Sequence, residues 1–341
     1  MRNFLIALVF LLAAIFFIGK LTEVQAIGET LQRGDLRFLF IALIIQLTWF
    51  LNVAISYQVI YRMLGLKEKT LNLLLASSAA NFVNVVAPSV GVGGVAVFVS
   101  QARRNGNSPA KATLAGVLYL IFDYAGFLCV LAVGLLVLFR RNNLHSADLF
   151  ATGYLFLIAS GLTLLLILGM RSSKSLGRAL SWIARQVNRL LWIFLHRPYL
   201  SEERAKKFAI EASDGLQTVR NNPRYILLPI ALAVCSKTLL LSVFFLMFLA
   251  FQVPYTPGTL VAGFSIGYLF FIVSPTPSGI GIVEGALTLT LRSMYVPLGA
   301  AAVVTLTYRG FTFWIPFAIG GLTFRLLGYI QPQAALDVGN D

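Results

Sequence analysis

Apolar residues run in long blocks along this chain, at 4–18, 36–61, 73–87, 110–139, 149–170, 225–251, 259–273 and 299–327, and the polar residues collect between them. The longer blocks have the length a helix needs to cross a hydrocarbon layer about 30 Å thick. This pattern predicts an all-α, polytopic membrane protein with about six full transmembrane helices. Residues 4–18 follow Met1-Arg2 like the apolar part of a signal peptide, but no small-x-small cleavage pattern precedes Lys20, so they are expected to remain as a first helix. Residues 21–36 carry mixed charge and are expected at the membrane interface.

Two apolar blocks stop inside the membrane. After 260–273 the chain reads Ser274-Pro275-Thr276-Pro277-Ser278-Gly279-Ile280-Gly281-Ile282-Val283-Glu284-Gly285. Each proline removes a backbone donor and crowds the preceding turn, so the helix ends there. Ser278, Gly279 and Gly281 then permit a sharp reversal. After 73–87 the same device appears as Pro88-Ser89-Val90-Gly91-Val92-Gly93-Gly94. A shift of 189 (277−88) lays Pro88 on Pro277, Ser89 on Ser278 and Arg103 on Arg292, with Pro109 one residue from Pro297. Irregular backbone at membrane depth is tolerated only where protein or a wet cavity satisfies it, and paired broken segments in two halves of a chain point to a transport site. The expected architecture therefore adds two re-entrant broken helices in an inverted repeat, with halves at about 36–139 and 225–328 of a single domain over 1–341.

Composition narrows the class further. The 341 residues are 58% hydrophobic and 12% charged, and mean hydropathy is +0.82. Soluble domains carry nearer 25% charged residues. The net charge of +14 is read as cytoplasmic loops facing anionic lipid. No nucleic-acid partner is expected, because no basic stretch is interleaved with exposed aromatics on a soluble fold. Cys129 and Cys235 lie inside apolar blocks and read as small core residues. No Cys-x-x-Cys or histidine cluster occurs, so neither a metal nor a cofactor is expected. Gly91 to Ala96 matches the G-x-G-x-x-A dinucleotide fingerprint, but without the strand–helix context that motif needs.

The longest polar region, 171–224, holds eleven Lys/Arg against four acids. Within it Leu176, Leu180, Ile183, Val187, Leu190 and Phe194 recur at helical spacing while Arg178, Arg185 and Arg189 lie largely elsewhere. That is a basic amphipathic helix suited either to anionic lipid headgroups or to a charged connector. Ser201 ahead of Glu202 and Glu203 starts a second helix. The basic excess puts this connector in the cytoplasm, with both termini on the same side, in a multi-pass protein of the inner (plasma) membrane.

Asp123, Lys237, Glu284 and Arg309 are ionisable groups inside apolar blocks. Each costs about 2.5 to 3.5 kcal/mol in a spanning helix unless it finds a partner or water. Two acids and two bases suggest the pairs Glu284–Arg309 and Asp123–Lys237. Asp123 and Arg309 fall at nearly equivalent places in the repeat, 35 and 32 residues beyond their prolines (123−88 and 309−277). Asn81 and Asn84 share one face of the block before the first break.

The stretch from Pro275 to Ala286, followed by Arg309 in a glycine-rich last helix, resembles the lysylphosphatidylglycerol synthase transmembrane family, also called the flippase-like domain family. The resemblance takes in the Pro88 break, the Arg103-Arg104-Asn105-Gly106 turn and the basic connector. It implies translocation of a lipid with a polar headgroup between leaflets, and carries over Pro277, Gly279, Gly281, Glu284 and Arg309 as functional positions. Ser278 stands where the family commonly has glycine, and Val95 and Ala96 stand where charged residues are often found. The soluble lysyl-transferase domain of longer members is absent from this sequence, so lysyl-lipid synthesis is not expected of this chain alone.

The reading that results is a translocator of a phospholipid, aminoacyl-lipid or glycolipid, with no catalytic residues. Asn81, Asn84, Pro88, Arg103, Asp123 and Lys237 join the five carried-over positions in binding or passing the lipid substrate. The alternatives are a membrane-embedded lipid phosphatase or transferase using Glu284 as general base, and a non-catalytic partner of a cell-envelope lipid synthase. A homo-oligomer is the other candidate assembly.

Overall fold

The computed structural model describes residues 31–86, 92–195 and 201–326, and these are helical with short connections. Among the described residues, five helices are long and apolar enough to cross a membrane: α1 (Leu36–Met63), α4 (Pro109–Arg140), α5 (Ser146–Arg171), a segment Arg224–Ala250 whose main part is α8 (Leu227–Ala250), and Leu298–Leu326. The expected span at 4–18 lies outside the described residues, as does Pro88. The last spanning segment is α11 (Leu298–Arg309), a π-helical turn at Gly310–Trp314, and α12 (Ile315–Leu326). Where α12 crosses α2 (Thr70–Val86), a side chain at Gly320 would collide with the Ser78 carbonyl, so glycine sets how closely the two helices approach.

Each broken block folds as a hairpin. α2 packs against α3 (Val92–Arg104), and α9 (Pro257–Val273) packs against α10 (Ile282–Ser293). The hairpins enter from opposite ends of the bundle, which the loop hydrogen bonds make plain. At one end Asn105 Nδ2 donates to Glu68 Oε2 at 2.7 Å, and Ser108 Oγ donates to Glu211 Oε2 at 2.7 Å. At the other, Asp35 N donates to Ala250 O at 2.9 Å and Asn143 Nδ2 to Ser293 O at 2.9 Å. The tip of the first hairpin's return helix thus shares an end with the basic connector, and that of the second lies opposite. With the native cysteines removed, Arg103→Cys and Tyr295→Cys are expected to react with an impermeant maleimide from opposite faces of the membrane. Labelling of both from one face would remove the inverted arrangement.

The connector folds back on itself as α6 (Ser173–Leu195) and α7 (Glu202–Asn221). Ser201 caps α7, its Oγ accepting from Arg204 N at 3.4 Å. Leu176 and Ala184 of α6 and Ala209, Ala212 and Leu216 of α7 are buried. The inner face of α6 is therefore turned to protein, while Trp182 remains 57% exposed.

Cys129 and Cys235 are exposed on the outside of the bundle, not in its core. Hydropathy misplaces them for a physical reason. In lipid the outer face of a helix is as apolar as its packed face, so an apolar run does not say which side a residue takes.

Candidate functional site

The second break is organised by hydroxyls and reversed backbone. α9 ends at Val273, and Ser274 Oγ accepts the Thr276 N–H at 3.1 Å. Thr276 Oγ1 donates across the turn to Ile280 O at 3.0 Å. Ser278, Gly279 and Gly281 take φ values of 49°, 74° and 81°. Serine in the left-handed region costs on the order of 1 kcal/mol relative to glycine, so the turn holds Ser278 there against its own preference. α10 restarts at Ile282, and Glu284, in its first turn, reaches back so that Oε2 accepts the Gly281 N–H at 2.6 Å. A carboxylate there also meets the positive end of the helix.

Arg309 closes this unit from the facing helix. It is only 2% exposed, its Nε donates to Glu284 Oε1 at 2.7 Å, and its Nη2 donates to Ser278 O at 3.0 Å. The guanidinium lies over the Phe313 ring, 4.7 Å from the centroid. Phe313 belongs to the π-helical turn that follows directly. The extra residue of such a turn changes which side chains share a face, and π turns are frequent at functional positions. The guanidinium carries more N–H donors than these two contacts use.

A second charged unit ties three helices together. Lys237 Nζ of α8 lies 2.6 Å from Asp123 Oδ1 of α4 and 2.5 Å from the Tyr268 hydroxyl of α9. Tyr268 donates to the other carboxylate oxygen, Oδ2, at 3.1 Å. Lys237 is 1% exposed and Asp123 8%. Beside it, Trp49 Nε1 donates to Ser236 Oγ at 3.0 Å, fixing α1 on α8.

Both units border one cavity of about 300 Å³. Asp123 and Arg309 line it, whereas Lys237 and Glu284 stand behind them as their counter-charges. Asn81 and Asn84 line it from α2, and Asn84 Oδ1 accepts the Gly94 N–H at 2.7 Å, bridging the two arms of the first hairpin. Ser274, Thr276 and Ser278 line it from the second break. The hydrocarbon-rich wall includes Tyr57, stacked between Phe98 and Tyr119 at centroid distances of 4.1 and 4.5 Å.

Not every expected site residue reaches this cavity. Arg103 is exposed at the end of α3 and does not line it. Pro277, Gly279 and Gly281 shape the turn that presents Ser278. Tyr268 and the Ser278 carbonyl were not expected from the sequence. A tyrosine in an apolar block carries no pattern of its own, and a carbonyl carries none at all. Tyr119 had a usable signal, since it sits one helical turn before Asp123 on the same face.

The arrangement offers a fixed guanidinium and a hydroxyl-rich turn to a ligand with anionic oxygens. Comparison with individual curated proteins returns no match. The family model described as the lysylphosphatidylglycerol synthase TM region does match, over residues 4–320, and by that coverage the chain belongs to this family of membrane proteins.

Proposed function

We propose that this protein passes a polar-headgroup lipid between leaflets, with the headgroup in the cavity and the acyl chains in the surrounding bilayer. The observation that carries the reading is Arg309. A guanidinium is held at membrane depth by Glu284 and the Ser278 carbonyl, at the wall of a cavity bordered by both broken hairpins. Its planar, permanently charged fork suits a phosphate. A volume of about 300 Å³ is at the small end of ligand sites, a scale for a headgroup and not for acyl chains. The basic connector faces the cytoplasm in this reading, with Lys174, Arg178 and Trp182 exposed toward anionic lipid. A catalytic role is less well supported. Among the described residues the cavity lining contains one carboxylate, Asp123, already engaged by Lys237 and Tyr268, and no histidine.

The test is reconstitution of the full chain into phosphatidylcholine–phosphatidylglycerol vesicles carrying a trace of NBD-labelled phosphatidylglycerol or phosphatidylethanolamine. Dithionite bleaches the label in the outer leaflet only. Faster bleaching of the inner pool than in protein-free vesicles, with the lipid chemically unchanged, is the expected result. A new lipid product would support an enzyme instead, and neither change would favour the synthase-partner reading.

A further inference from the structure

A second cavity, of about 590 Å³, opens at the end of the bundle where α1 begins. Asp35 precedes α1, Ala250 ends α8, and Gly299 and Val303 lie on α11, and all four line this cavity. The same three helices lead on to the first cavity, which they line through Trp49, Leu240 and Tyr308. The two openings are therefore stacked along one groove. α1 runs along α8, and α8 packs on α11. Between the openings the groove is shut by side chains with no exposure, Val243, Phe244 and Met247 from α8 and Val304 from α11.

One residue does not fit that plug. Gln46 lies on α1 between Asp35 and Trp49, with 0% exposure, and neither its Oε1 nor its Nε2 finds a hydrogen-bond partner among the described residues. It is one turn before Trp49 and two turns before Val53 on the face those residues turn to the first cavity. A buried, unsatisfied amide is costly wherever it occurs and more so at membrane depth. A leucine would pack there with no such penalty.

We infer that Gln46 is a second polar contact for the cargo. The plug between the two cavities opens into a continuous path in which this amide is hydrated and meets the headgroup. The inference rests on the translocation reading above and extends it beyond the first cavity.

Two measurements on the full chain decide it. In a Cys129→Ala/Cys235→Ala background, Gln46→Cys is expected to react with a small charged methanethiosulfonate reagent, added from the side of the second cavity, at least tenfold faster than the control Leu155→Cys, a position on α5 that has no exposure and lines neither cavity. Equal rates would overturn the opening of the plug. Gln46→Leu is expected to melt at a higher temperature than the parent, yet to exchange the NBD-labelled lipids at least fivefold more slowly. A more stable variant exchanging at the full rate would overturn the cargo contact. If the parent itself moves no labelled lipid, the translocation reading fails, and the labelling ratio still decides whether a path opens at Gln46.

Discussion

Arg309→Leu is expected to abolish lipid exchange and to lower the stability of the folded protein. Glu284 loses the donor on Oε1 and keeps only the Gly281 N–H and the start of α10. Stripping one partner from a buried pair costs about 3–5 kcal/mol, and the 16% exposure left to the Glu284 side chain argues for the lower part of that range. Stability alone would not separate a working guanidinium from a structural one. The double variant Glu284→Gln/Arg309→Leu does. Its amide oxygen still accepts the Gly281 N–H and no charge is stranded, so most of the melting temperature should return. Exchange should not. Wild-type exchange in that double variant would reject Arg309 as a headgroup ligand. Arg309→Lys should fall between, since it keeps the charge but not the fork that spans Glu284 and Ser278.

The Asp123–Lys237 unit should respond in a different order. Asp123→Leu strands the ammonium of a residue that is 1% exposed, and a loss of about 3–5 kcal/mol is expected. Lys237→Met should be milder, because Asp123 keeps the Tyr268 hydroxyl and its place at the cavity wall. Removing both charges together should restore stability to the parent level or raise it by about 1–4 kcal/mol, as for other buried pairs replaced by apolar side chains. Melting temperature in detergent orders the three variants, and exchange in vesicles assigns the role. A stable double variant that no longer exchanges lipid makes Asp123 a contact of the cargo. A stable, active one makes the pair a clamp for α4, α8 and α9.

Much of this was legible in the sequence because a membrane makes polar residues conspicuous. Four charges in apolar blocks had few ways to neutralise one another, and the pairs expected from them are the ones found, Glu284 with Arg309 and Asp123 with Lys237. The prolines and glycines at 275–281 marked a break because no helix passes through such a run. What remained hidden follows from the same solvent. Cys129 and Cys235 were misplaced because lipid-facing and protein-facing positions share one hydropathy. The inner face of α6 was equally ambiguous, since an amphipathic stripe fits a neighbouring helix as well as a lipid surface. The π-helical turn after Arg309 leaves no trace in residue type, and Gln46 looks like any single polar residue in a span.

The two ion pairs have an electrical consequence. Asp123 with Lys237, and Glu284 with Arg309, each set one negative charge against one positive charge and sum to zero. A transmembrane voltage, worth about 2.3 kcal/mol per elementary charge per 100 mV, therefore finds no net charge to pull on in either unit. Any voltage dependence of exchange would report the charge that the cargo itself carries across the membrane.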